Sequence, residues 1–184
     1  MRTFKNGNNS NIMSGAYASC TLDEGIITKK YRFKLRPFRL SREKINNLFD
    51  TEIKCLERLK GERFFPQLID YNKTEDELSL RMTYVGRSVD KDPYRDTFFD
   101  FEQYKENIQA IADTLIKHKI MYSDIQRWNT CFDGEHLYLI DFNHGCKLDE
   151  GALDRDKFIS TFRNRICESV YHKVLGKYVT KKIT

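Results

Sequence analysis

No apolar run among the 184 residues approaches the roughly 20 needed to cross a bilayer, so the sequence offers no membrane helix. The opening MRTFKNGNNSNIMSG has no apolar core of a secretory signal, and a cytoplasmic location is the expectation. Five cysteines, Cys20, Cys55, Cys131, Cys146 and Cys167, include no C-x-x-C pair, and their number is odd. That pattern argues against a disulfide framework or a zinc site and for reduced thiols. The four histidines, His118, His136, His144 and His172, lack metal-ligand spacing. No internal repeat and no long linker interrupt the chain. Acidic residues are outnumbered 27 to 32, and the resulting net charge of +5 is too small to call for nucleic acid. From His172 onward there are lysines at 173, 177, 181 and 182 and no acid, so this tail is either solvated or docks an acidic partner protein.

What is present describes a folded chain. Apolar residues make up 40% and charged residues 32%, the balance of a soluble globular protein with the length of one ordinary domain. After a polar, Asn/Gly-rich arm at 1–10, residues 12–20 and 21–34 read as strand, turn, strand, with the turn at Asp23-Glu24-Gly25. Residues 41–60 read as a helix capped by Ser41 and stopped by Gly61, with Ile45, Leu48, Phe49, Ile53, Leu56 and Leu59 at helical spacing. Residues 67–71 and 78–85 read as strands about a charged turn, and 87–100 as a polar linker. A second helix is expected over 101–119 and a third, amphipathic, over 156–175.

Residues 120–145, IMYSDIQRWNTCFDGEHLYLIDFNHG, carry the chemistry. Asn129 follows Asp124 by five positions, and Asp141 follows a short apolar strand and precedes Phe142. Any one of these residues alone is better read as a turn cap. The ordered set, D-x-x-x-x-N and then D-F, resembles the catalytic and metal-binding segments of the protein-kinase-like superfamily. The resemblance covers about residues 12–145. It implies ATP and magnesium: phosphoryl transfer needs a rigidly held nucleotide, a hard cation and a carboxylate that orients the acceptor hydroxyl.

The resemblance also assigns roles. Asp124 would align or deprotonate the acceptor, and Asn129 and Asp141 would bind magnesium. Arg127 could reach the transferring phosphate. SGAYASC stands where the glycine-rich loop would be, with Gly15 and Ala18 close to the phosphates, although the full glycine pattern is missing. Lys29 fits the phosphate-binding lysine, with Lys30 as the alternative, since strand alternation cannot choose between neighbours. Glu52 is the helix glutamate that would orient it, in competition with Glu43 and Glu57. Met82, Tyr84 and Val85 would line the adenine site, and Gly86 would release the chain into the second half. Trp128 is expected in the core. Asn143, in the glycine position of D-F-G, is expected to tolerate a left-handed backbone.

Departures narrow the comparison. H-R-D reads Tyr122-Ser123-Asp124, so the arginine that anchors a phosphorylated activation loop is missing, and no A-P-E segment follows. The pattern resembles small bacterial and phage kinase-like proteins, RIO-type kinases and the small kinase subunit of the tRNA threonylcarbamoylation complex. The expected fold is α+β: a two-lobed protein-kinase-like fold with an N-lobe over 1–85 and a reduced helical C-lobe over 86–184. The expected activity is transfer of the γ-phosphoryl group of Mg-ATP to a hydroxyl, with a protein serine or threonine as first choice. A small molecule or sugar is the alternative acceptor, and an ATPase or nucleotide-binding subunit the third reading.

Overall fold

The computed structural model describes residues 10–14, 18–33 and 40–167. Three strands, β1 (Ser10–Ser14), β2 (Ala18–Asp23) and β3 (Ile26–Tyr31), pair antiparallel in succession. With β4 (Leu68–Lys73) and β5 (Leu78–Thr83) they complete one sheet of order β1-β2-β3-β5-β4. The β2–β3 turn falls where the sequence places it, with Glu24 and Gly25 at φ 45° and 79°. The stretch 12–20 is not a single strand, however. It contributes to both β1 and β2, which satisfy each other's backbone groups by folding back as a hairpin.

Side-chain alternation along β3 separates its two lysines. Ile27, Lys29 and Tyr31 share one face, while Lys30 takes the other. Beneath the Lys29 face lies α1 (Arg42–Arg58). Its Ser41 cap is as expected, with Oγ accepting from the Lys44 N–H at 3.2 Å. Ile45, Phe49, Ile53 and Leu56 are buried along one stripe of the helix. Each such side chain contributes about 1.5–3 kcal/mol by leaving water. Glu52 lies on the same stripe, whereas Glu43 and Glu57 are exposed.

The remaining elements are a helix-rich half with short strands. β6 (Arg87–Ser88) occupies part of the expected linker and is followed by α2 (Phe101–Lys117) and β7 (Ile120–Tyr122). Next come β8 (Thr130–Phe132), β9 (Leu137–Leu139), β10 (Cys146–Leu148) and α3 (Arg155–Phe162). Pairing is antiparallel, in a β6-β8-β9 sheet and a β10-β7 ribbon. The buried Asn107 of α2 donates to the Leu137 carbonyl at 3.1 Å and accepts from its N–H at 2.7 Å, fixing the helix to β9. The third expected helix is described in part: α3 passes into a wider π-helical turn at Arg163–Cys167. Residues 168–175 of that expectation and the basic tail lie outside the described residues. The architecture is thus mixed α+β with antiparallel sheets and, among the described residues, three α-helices. No described helix is long and apolar enough to cross a membrane.

Candidate functional site

Strand β3 delivers Lys29 to a buried cluster of charge. Its Nζ donates to Glu52 Oε1 at 2.8 Å and to Asp141 Oδ1 at 2.7 Å. Lys30, on the opposite face, is exposed and pairs with Glu77 at 3.0 Å. Burial opposes the charged amine, but the carboxylates of Asp141 and Glu52 outweigh it and hold the Lys29 pKa well above the ordinary lysine value. Burial also pushes the Glu52 carboxyl upward, against the pull of Lys29. The second Glu52 oxygen accepts from the Tyr31 hydroxyl, and that hydroxyl accepts from the Asn143 amide at 3.3 Å. Lys29, Glu52, Tyr31, Asn143 and Asp141 are therefore linked in one chain of contacts. Sequence reasoning missed Tyr31, whose only signal was its place on the Lys29 face.

The loop between β7 and β8 holds the second group. Asn129 Nδ2 donates to Asp124 Oδ2 at 2.8 Å and to the Asp124 carbonyl at 3.0 Å. Tyr122, in the histidine position of H-R-D, donates to the Ile140 carbonyl at 2.9 Å and packs edge-on against Phe142. The carbonyl of Asn129 receives the Ile140 N–H at 3.0 Å, tying this loop to the strand that leads into Asp141. Gly145 closes the arrangement. Its carbonyl accepts from both the N–H and the Oγ of Ser123, at 3.0 and 2.9 Å. A Cβ on Gly145 would stand 2.9 Å from Ser123 Oγ and 3.1 Å from Asp124 Cβ.

Three expectations are corrected. The left-handed residue after β9 is Asp141, at φ 64°, and not Asn143. Asp is among the residues that accept this conformation most readily, and Asn143 is buried to hold Tyr31. Arg127, expected to reach a phosphate, turns its guanidinium to the backbone instead. Its guanidinium donates to the carbonyls of Ile166, Val89, Tyr94 and Arg95 at 2.7–3.1 Å, because a half-buried cation in this position is satisfied by converging backbone oxygens. Trp128 is not in the core: it is 48% exposed, since the neighbouring Arg127 and Asn129 are the residues turned inward.

Between the five-stranded sheet and this loop lies a cleft of about 380 Å³. Ala18, Ile27, Met82, Tyr84, Val85 and Ile140 give it apolar lining, and Lys29, Asn129 and Asp141 line it as well. Gly86 lets the chain pass close to β8: a Cβ there would collide with the Phe132 carbonyl oxygen. Of the residues the sequence nominates, only Gly15 lies outside the described residues.

The donor set fits a hard cation beside a polyanion. Asp141 is part-exposed and one of its oxygens is held by Lys29. Asn129 spends its amide nitrogen on Asp124, which leaves its carbonyl oxygen as the donor a cation would take. Oxygen ligands of this kind suit magnesium, and a buried ammonium suits phosphate. Asp124, anchored through Asn129, is the carboxylate outside that ion pair.

No protein-family model matches the chain, and no curated protein matches it. Solved structures do. A crystal structure of WbdD is 18% identical and matches 79% of this chain and 34% of its own, with a TM-score of 0.64. A structure described as the bifunctional kinase-methyltransferase WbdD is 19% identical over 73% of this chain and 31% of its own, with a TM-score of 0.59. WbdD crystallised with a kinase inhibitor gives 19%, 73% and 32%, with a TM-score of 0.60. The chain spans about a third of the length of these structures. At such identity the likeness is one of fold alone.

Proposed function

We propose that the chain is a two-lobed, kinase-like phosphotransferase that moves the γ-phosphoryl group of ATP to a hydroxyl. The observation that carries this reading is one cleft lined by Lys29, Asp141 and Asn129, with Lys29 bonded both to Asp141 and to the buried Glu52. In this reading the base of ATP lies against the apolar lining of the cleft. Lys29 binds phosphate, and Glu52, braced by Tyr31, keeps its amine aimed there. Asp141 and Asn129 would hold magnesium, which when bound neutralises charge on the phosphates. Asp124 receives the proton of the acceptor hydroxyl as its oxygen bonds to the γ-phosphorus. The bond from that phosphorus to the β-phosphate oxygen breaks, and ADP leaves. The chain's own contribution is chiefly positioning and charge.

The test uses ATP labelled on the γ-phosphate, purified protein and a cell extract as the source of acceptors. Asp141→Asn is expected to abolish magnesium-dependent ATP binding. Asp124→Asn is expected to retain binding and lower transfer by about 10²-fold or more, the scale of a lost general base. Full transfer by both variants would overturn the assignment.

A further inference from the structure

The chain has a single tryptophan, and it stands in the cleft with its indole half exposed. Such a large apolar surface is ordinarily buried. The backbone beneath it is held on both sides. Arg127 is clamped by four carbonyls, Asn129 is bonded to Asp124, and Ser88 Oγ donates to the carbonyls of Arg127 and Trp128 at 3.3 and 3.5 Å. Trp128 is thus a half-exposed aromatic residue on an anchored stretch of backbone, lining the cleft one residue from the candidate cation ligand Asn129.

We infer that Trp128 is the platform for the acceptor and that the acceptor is a saccharide. This rests on the phosphotransferase reading above and narrows its substrate. A stacking partner must present a ring with an apolar face. The base of a nucleotide has hydrocarbon walls of its own in the cleft, at Ile27, Met82 and Ile140. A serine or threonine side chain carries no ring. A pyranose offers an apolar C–H face to the indole and keeps its hydroxyls at the edge. For that edge the same cleft is lined by exposed side chains of both signs, Arg87, Lys91 and Asp92, which supply donors and acceptors. One ring hydroxyl then gives its proton to Asp124 and takes the γ-phosphoryl group, and ADP departs.

Because Trp128 is the only indole, its fluorescence reads this position in the full-length wild-type protein without labelling. The experiment titrates the protein with Mg-ATP, then with hexoses, N-acetylhexosamines and short oligosaccharides, and measures label transfer to the same panel and to a serine/threonine peptide library. A saturable fluorescence change with a saccharide, and Asp124-dependent label on it, are expected. Trp128→Ala should raise the saccharide KM about tenfold, the scale of one well-placed aromatic contact, and leave the KM for ATP within about twofold. Trp128→Phe, which keeps a ring, should recover most of the loss. Label on peptides and not on saccharides would overturn the inference and leave the phosphotransferase reading standing. So would a Trp128→Ala defect confined to ATP. Failure of the wild-type protein to bind Mg-ATP or to transfer label to anything would remove the phosphotransferase reading and this inference with it.

Discussion

At the scale of single residues, adjacent lysines on one strand have opposite fates. Lys29 is surrounded by two carboxylates in a dry setting, and Lys30 meets Glu77 in water. Removing one member of a buried ion pair strands the other, at a cost of about 3–5 kcal/mol. Lys29→Met should therefore lower the unfolding free energy measured in urea by that order, while Lys30→Met should not measurably move it. Equal effects would contradict the burial that separates them. Tyr31 gives a finer test. Tyr31→Phe keeps the ring against Phe49 but leaves a Glu52 oxygen and the Asn143 amide without their shared partner. A hydrogen bond to a charged group is worth about 1.5–3 kcal/mol, so a loss of that size is expected in urea unfolding. Under the proposed reading kcat should fall more than KM rises, since Tyr31 acts through Glu52. The choice between Lys29 and Lys30 is not legible in sequence, because alternation fixes a face only once the neighbouring elements are known. Trp128 escapes sequence reasoning for a related reason: in a three-residue helical turn no period tells inside from outside.

At the scale of elements, legibility follows length. Helices α1 and α2, at 17 residues each, show their buried stripes in the sequence, α1 its Ser41 cap as well, and both are readable to within a few residues. Strands β6 to β10 have two or three residues each, too few for alternation to register, and their pairing is set by tertiary contacts such as Asn107 on Leu137. The D-x-x-x-x-N and D-F pattern stands out regardless, because side-chain chemistry at fixed spacing needs no periodicity. One cap and one loop separate stability from chemistry. Ser41→Ala removes the α1 cap far from Glu52 and should cost about 1 kcal/mol in urea unfolding, with transfer unchanged. Gly145→Ala acts at the join of β10 and the Asp124 loop. Its φ of 75° is strained for alanine, and the added carbon presses on Ser123 and Asp124. A stability loss of about 1–2 kcal/mol is expected, with transfer reduced and calorimetric Mg-ATP affinity retained. Unchanged transfer would show that the loop gives way without moving the carboxylate.

At the scale of the molecule, the cleft is spanned by the Lys29–Asp141 ion pair, whose members lie 112 positions apart. One comes from the five-stranded sheet and the other from the segment after β9, and each neutralises the other. Under the proposed reading, a polyphosphate competes with Asp141 for the lysine, and a magnesium ion competes with the lysine for Asp141. Neither exchange is favourable alone, because each leaves one charge of the pair exposed to an unfavourable neighbour. Together they replace one ion pair by two. ATP in chelator and magnesium without nucleotide should therefore each raise the melting temperature little. Mg-ATP at about 100 times its Kd should stabilise by about 2.7 kcal/mol, which for a chain of this size is a shift of about 5–10 °C. Asp141→Asn dissolves the competition: it frees Lys29 for phosphate and removes the carboxylate that magnesium needs. In that variant ATP alone should give a larger shift than in the wild type, and magnesium should add nothing to it. Scanning fluorimetry of both proteins, alone and with ATP, magnesium or both, measures the two increments. A magnesium increment that survives in Asp141→Asn would place the cation elsewhere and separate the ion pair from the chemistry.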